Sequence, residues 1–508
     1  MSFALRPRRA GAGFWTLVLA VCAAPLALPV SAQVSLSEGP SSLTLEEAVR
    51  LAREHNPDYR TQQSQVRSAN IAVSNARGAL MPNASVSNSY GYQGQGERRA
   101  GDVVLGTQPS RYSSSYSLNL SYSLSGESLL RPGQAETEAR AAEARVRGAG
   151  IALDAEVTNA YLSALEADAQ VVQARNALER TTLTVEQATA QVEVGVATPL
   201  DIRRAEVQQA QAEVVLVNSE NDAAAARATL AQVVGVVLDE DVDLVTGFGL
   251  FEPELDSEAL LDRALDGNPV IRASRLSHEA SKTDVRTAQS RFFPTISMSA
   301  GISGSVFQAG TLDPLIEQAL NTQAGRYDSC LEDNRIRELL GDSPRDCTAL
   351  DPTRSEVEAS IRESVRVENS GFPFDYDRNP LSLSLNVSLP LFTGFSRKNQ
   401  VESARVAASN AEEQVRTEEL RLRSEVATAV RNVETARRTV ELQARIRETS
   451  TEELDLAQER FALGLASSIE VADAQANLSQ AERDEITALY QFHRSIVALE
   501  GLIGGPIR

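Results

Sequence analysis

Glu470 and Asp473 stand three residues apart, so on a helix their carboxylates share one face. Two acids placed this way can attract cations, exchange protons, or simply sit in water. The rest of a catalytic set does not accompany them. His55, His278 and His493 are isolated from one another, with neither the close spacing of metal ligands nor a nucleophile beside a base. No enzymatic activity, cofactor or metal centre is expected. Cys330 and Cys347 offer different chemistry. They are the only cysteines beyond residue 32, and in an exported protein such a pair is expected as a disulfide. Closing a loop of that length would stabilise it by about 3 kcal/mol in a chain-entropy estimate.

Export is itself legible. Arg6, Arg8 and Arg9 precede an apolar run over 14–28, and Val30-Ser31-Ala32 closes it with small residues. Residues 1–32 therefore read as a signal peptide, with the mature chain starting near Gln33. Val21 before Cys22 departs from a lipoprotein box. The 508-residue chain carries a formal charge of −20, which becomes about −23 once the three leader arginines are gone. That balance argues against nucleic acid as a partner. Hydrophobic residues make up 42 % and aromatics only 5 %, a mix thin for a large globular core and usual for long helices packed through Ala, Val and Leu. No segment after the leader has the ~18 uninterrupted apolar residues of a membrane helix. A membrane would have to be entered with strands, and secretion plus strands points to a bacterial outer membrane.

The elements that must position the acids come in two copies. "LTLEEAVRLAREHNPDYR" (43–60) aligns without a gap with "LDSEALLDRALDGNPVIR" (255–272) at an offset of 212. "SLNLSYSL" (117–124) answers "SLNVSLPL" (384–391) at 267, and "VGVATPLDIRRAEVQQAQAE" (194–213) answers "LGLASSIEVADAQANLSQAE" (463–482) at 269. This internal tandem duplication predicts a first repeat over 33–250, with strands near 83–93 and 113–125 and a helical hairpin over 134–233. The second repeat spans 251–508, with strands near 295–306 and 381–391, an insertion over 307–380 and a hairpin over 396–500. Within the insertion, "CLEDNRIRELLGDSPRDC" (330–347) reads as charged, turn-forming connection.

The hairpins show coiled-coil spacing: Leu153, Val157, Ala160, Ala164, Ala167 and Val171 alternate steps of four and three. Helical runs of about 60 residues would be rods near 90 Å. Turns are expected at Gly195 and Gly464, with new helices starting behind Thr198-Pro199 and Ser467-Ser468. In the strands, Leu381, Leu383, Leu385, Val387 and Leu389 alternate with Ser382, Ser384, Asn386 and Ser388, which suits lipid on one face and water on the other. Four strands cannot close a barrel, since the smallest have about eight. Strands borrowed from two further copies would make twelve.

These residues resemble the family of TolC-like outer-membrane efflux proteins, the outer-membrane factors. The resemblance rests on "ALDGNPVI" (264–271), on Pro82 and Pro294 ending the following helices, on "PLFTGF" (390–395) and on "LGLASSIEVADAQ" (463–475). It implies a homotrimer with a twelve-stranded membrane β-barrel, in outer-membrane lipid, and a long α-helical barrel in the periplasm. The duct would pass drugs, or proteins by type I secretion. A periplasmic adaptor (membrane fusion) protein and an inner-membrane ABC or proton-driven transporter would dock at its far end. By the same resemblance Val194, Gly195, Val196, Leu463, Gly464 and Leu465 would contact the adaptor, and Glu470 and Asp473 would ring the narrowest point of the pore. Asp201 matches an Asp that is bonded to a Tyr and an Arg in the family's closed state, yet Phe461 and Ala466 stand where those partners would be, and Leu200 replaces a Thr. Three His and three Met argue against specialised copper or silver export. The insertion would face the outside of the cell. The alternative is a trimeric surface adhesin or other structural outer-membrane protein, whose anchor strands would instead be contiguous at the C-terminus.

Overall fold

The computed structural model describes residues 42–507 apart from 240, 241, 352 and 464. The signal peptide, Cys22 and Gly464 therefore lie outside the described residues. In chain order the elements are β1 (Ser42–Leu43), α1 (Leu45–His55), α2 (Pro57–Gly78), β2 (Asn83–Gln93), β3 (Gly96–Ala100), β4 (Val103–Gln108), β5 (Arg111–Leu124), α3 (Gly126–Glu193) and α4 (Pro199–Val234). They continue as β6 (Asp243–Leu244), α5 (Ser257–Gly267), α6 (Pro269–Ser290), β7 (Thr295–Ala309), α7 (Asp313–Leu339), α8 (Arg354–Asn369), β8 (Asp377–Arg378), β9 (Ser382–Ser388), α9 (Ser396–Ala462) and α10 (Ser468–Ile503). The chain divides into two compact units. One gathers the described residues up to Pro57 with Glu156–Gly249 and Leu442–Tyr490; the other gathers Asp58–Ala155, Leu250–Glu441 and the residues from Gln491 on.

The first unit holds both turns between the long helices. Its core is anchored by Tyr161, which is fully buried. The phenol donates to the Leu43 carbonyl at 2.8 Å and accepts from the Thr246 amide at 3.2 Å, tying α3 to the small parallel pair in which Ser42 faces Asp243 and Leu43 faces Leu244. The end of α4 is closed by Asn56, whose amide donates to the Val233 carbonyl at 2.8 Å. Gly235 then takes φ 79° with the His55 carbonyl carbon 2.9 Å from where a Cβ would stand, so only glycine fits.

The second unit repeats that closure with Asn268, which donates to the Leu502 carbonyl at 3.0 Å, and with Gly504 at φ 75°. It also holds the sheet, an antiparallel order β2-β5-β7-β9 with β8 on the far end of β7. Its register sorts the side chains by face. Val86, Leu118 and Ile302 form one apolar row; Ala84, Leu120, Ala300 and Leu383 form another; Tyr122, Met298 and Leu385 form a third. Between them run Ser121, Ser299 and Ser384, and Ser87, Ser117 and Ser303. The Ser87–Ser117 and Ser299–Ser384 hydroxyls meet at 2.8 and 2.6 Å. Tyr90, Tyr92, Tyr112 and Tyr116 cluster toward one end of the strands, and Phe292, Phe293, Phe392 and Phe395 lie beyond the other.

Three elements differ from expectation. The stretch 330–347 is not wholly turn: α7 runs to Leu339. Charge was mistaken there for a turn signal, whereas Glu332 and Arg335 pair one helical turn apart and only 340–347 closes back. Cys330 and Cys347 are disulfide-bonded, with Cα atoms 6.0 Å apart, so the bond pins the α7 helix to the segment before α8. The insertion is fixed to the sheet by Asn369, whose side chain accepts from Ala309 N at 2.9 Å and donates to Ala309 O at 3.1 Å. The first long helix starts at Gly126 rather than behind Pro132: proline loses one helical N–H, and packing of Ala135 and Ala139 on Val73 and Ala76 carries the helix past it. Finally, β3 and β4 pair beyond β2 and β5, where the sequence showed no alternation.

Candidate functional site at the hairpin turns

Both turns between long helices are built from the same skeleton. After α3 the chain reverses at Gly195, with φ 79° and open space around it. Val194 and Val196 flank it at 74 % and 68 % exposure, and Leu463 and Leu465 flank the second turn at 74 % and 68 %. Each turn thus presents a pair of apolar side chains to its surroundings.

The first turn of α4 is capped from within. Asp201 accepts from the Thr198 amide at 2.9 Å and from the Thr198 hydroxyl at 2.7 Å on one oxygen. Its other oxygen accepts the Ser468 hydroxyl at 2.6 Å. Those hydrogen bonds, Ser468 first and Thr198 next, hold the Asp201 carboxyl down to about 2. Arg204 lies 3.9 Å away. The bond joins the two hairpins of one chain.

The second turn treats its acid differently. Glu470 occupies the place of Asp201 in the repeat but pairs with Arg460, the guanidinium reaching across from the end of α9. Asp473, one turn further along α10, is exposed. It shares a cavity of about 460 Å³ with Leu200, Asp201, Arg203, Arg204 and Phe461. Phe461 itself packs against the core of Leu454, Ala457, Val471, Ala474 and Leu478, so the side chain serves packing at a position where the sequence had already removed a polar lock.

Behind the turns, α3 and α10 are stitched together. Arg180 grips Glu482 through two contacts at 3.3 and 2.7 Å, each side chain about three-quarters buried. Gln173 donates to the same carboxylate at 3.0 Å, and Gln475 donates to Thr184 at 2.8 Å. Other faces are left open. Leu200, Val207, Val214 and Val217 on α4, and Leu442, Ile446 and Leu456 on α9, recur at heptad-compatible steps and are each 49–61 % exposed.

Thus the sequence placed Val194, Val196, Leu463 and Leu465 at the turns and Asp201, Glu470 and Asp473 behind them. It did not anticipate Ser468 or Arg460. A signal existed for Arg460: it and Glu470 lie equally far from Leu465 along an antiparallel hairpin. Ser468 stands where the first copy has Pro199, so comparison of the copies hides its hydroxyl.

Residues 48–236 and 356–505 match the outer membrane efflux protein family. The cobalt-zinc-cadmium resistance protein CzcC of Cupriavidus metallidurans is 24 % identical over 264 residues, 52 % of this chain. The matched part spans 59 % of CzcC, less than two thirds of its length. Among solved structures, the CmeC outer membrane channel of Campylobacter jejuni is similar at a TM-score of 0.68 and 15 % identity, covering 91 % of this chain and 85 % of CmeC. The outer membrane protein VceC of Vibrio cholerae is similar at 0.65 and 19 %, covering 91 % and 97 %. These last two likenesses concern the fold.

Proposed function

Because this chain belongs to the outer membrane efflux protein family and so resides in the outer membrane, we propose that three copies of it form a passive channel, the exit duct of a tripartite export system. The observation that carries this reading is the sheet: one face of Leu, Val and Ile rows, one of Ser rows, and two outer strands, β2 and β9, each bonded on one side only among the described residues. In lipid an unpaired edge costs several kcal/mol per backbone group, and three copies remove every edge by closing twelve strands. The Tyr and Phe clusters suit the two membrane interfaces. From Thr295 to Gly304, which lies beside Tyr116, the strand covers roughly 30 Å, or about 23 Å across a bilayer at a 40° tilt. The open heptad faces of α4 and α9 support the same ring, α4 of one copy packing on α9 of the next.

In this reading the helical hairpins run into the periplasm as a helical barrel. Val194, Gly195, Val196, Leu463, Gly464 and Leu465 meet the adaptor, an inner-membrane transporter supplies the energy, and Asp201, Glu470 and Asp473 surround the constriction. Strand β5 leads directly into α3, whereas α7 and α8 follow the opposite end of β7, so the insertion and its disulfide face the cell exterior. Efflux in the family's name and metal resistance in the relative's favour small solutes as cargo over secreted proteins. The family match likewise favours a conduit over an adhesin.

Mass photometry of detergent-extracted protein should give a trimer, and planar bilayers should give discrete channels; a water-soluble monomer from the periplasm overturns the reading. Deleting the gene should sensitise cells to small toxic solutes. Loss of a secreted protein without sensitisation would move the cargo to type I secretion. Maleimide should label Cys330 and Cys347 on intact cells only after reduction, and labelling that also needs a permeabilised outer membrane would refute the surface location.

A further inference from the structure

The acids at the constriction do not carry equal electrostatic weight. Glu470 is hydrogen-bonded and ion-paired to Arg460 of its own hairpin. Among the described residues Asp473 has no ion pair. A guanidinium reaching across the turn is found at the second turn; the first repeat pairs its acid differently, within one helix, with Arg204 3.9 Å from Asp201. There the place of Arg460 is taken by Gln191 and the place of Asp473 by Arg204, while Asp201 is occupied by hydroxyls and an amide.

We infer that Arg460 is a selectivity-setting residue: it cancels the charge of Glu470, so that the cation preference of the channel is carried by Asp473. The inference rests on the reading of the constriction given above. The physics is that of an ion pair seen from a distance. A permeating ion several ångströms off the pair meets a dipole rather than a net charge, and its field decays faster than that of a lone carboxylate. Each copy then contributes one net negative charge at this turn, from Glu470, Asp473 and Arg460 together, where the sequence alone suggests two. Three copies then give three net charges from the second turns, where the two acids alone would give six. The surface position of the pair does not weaken the argument, because what matters is the sum of charge and not the stability of the bond.

Reversal potentials in a salt gradient test this with the full trimer in planar bilayers. R460Q restores the second charge per copy and should raise the cation-to-anion permeability ratio several-fold at low salt, an effect that shrinks as ionic strength rises. R460K keeps the charge and should match the unaltered channel. E470Q and D473N should each bring the ratio close to one. The double variant R460Q/E470Q removes one charge of each sign and should return to the starting ratio. An R460Q channel whose selectivity is unchanged, with D473N still lowering the ratio, overturns the role of Arg460 and leaves the constriction intact. No change in any of R460Q, E470Q and D473N overturns the constriction itself. If R460Q fails to assemble, E470Q decides: a ratio that falls only partway and stays well above one removes Arg460 from the account.

Discussion

The two hairpin turns share a backbone plan and exposed flanking residues, yet they dispose of their acids in opposite ways. At the first turn Asp201 is drawn inward: it caps its own helix and accepts Ser468 from the other hairpin. At the second, Glu470 has one more methylene, reaches past its own cap and finds Arg460. A carboxylate short enough to cap becomes a link between hairpins, and a longer one becomes half of an ion pair. Duplication thus preserved the turn and released the side chains behind it. The first turn ties the two hairpins together, and the second holds an ion pair across its own reversal.

The sharpest test of that contrast lies behind the turns. Arg180→Ala strips the partner from a largely buried Glu482 and should cost about 2–3 kcal/mol, read as an earlier thermal unfolding of the purified protein. If it costs no more than Arg460→Ala, the joint between α3 and α10 is not the stiff element described here. Phe461→Ala should follow at about 1–3 kcal/mol, since the ring is only partly buried against its cluster; protease nicking near the second turn measures it.

Ser468→Ala should cost about 1 kcal/mol and should raise the Asp201 carboxyl from about 2 toward the ordinary carboxylate range. The sign follows from linkage. The folded value lies below the unfolded one, so Asp201 stabilises the fold fully above about pH 4, and that contribution is lost as pH falls through about 2. Acid unfolding curves of Ser468→Ala and the unaltered protein should therefore converge as pH drops from 4 to 2, and parallel curves would remove the hydroxyl as the cause. The smallest effect belongs to Arg460→Ala: under about 1 kcal/mol, because both partners are about half exposed. A large loss would make Arg460 a structural residue and blunt the contrast between the turns.

Much of this was legible beforehand because it is periodic. Leu383, Leu385 and Val387 declare a two-faced strand within a few residues, and Leu153, Val157 and Ala160 declare a helix seam within two turns. The insertion was less legible. Its helix α7 has no single apolar face, and its charges form pairs along the helix rather than a stripe.

By itself the sequence determined the four alternating strands, the long hairpins, their duplication and the turn residues, since periodicity, glycine and capping act over neighbours in the chain. Tertiary structure alone decided that Ser468 reaches Asp201, that Arg460 claims Glu470, and that Asn369 clamps the end of β7. Each of those contacts depends on where two elements cross, on the length of a side chain at the crossing and on which of several acceptors is nearest. No local period encodes a crossing: packing sets it first, and the hydrogen bonds follow.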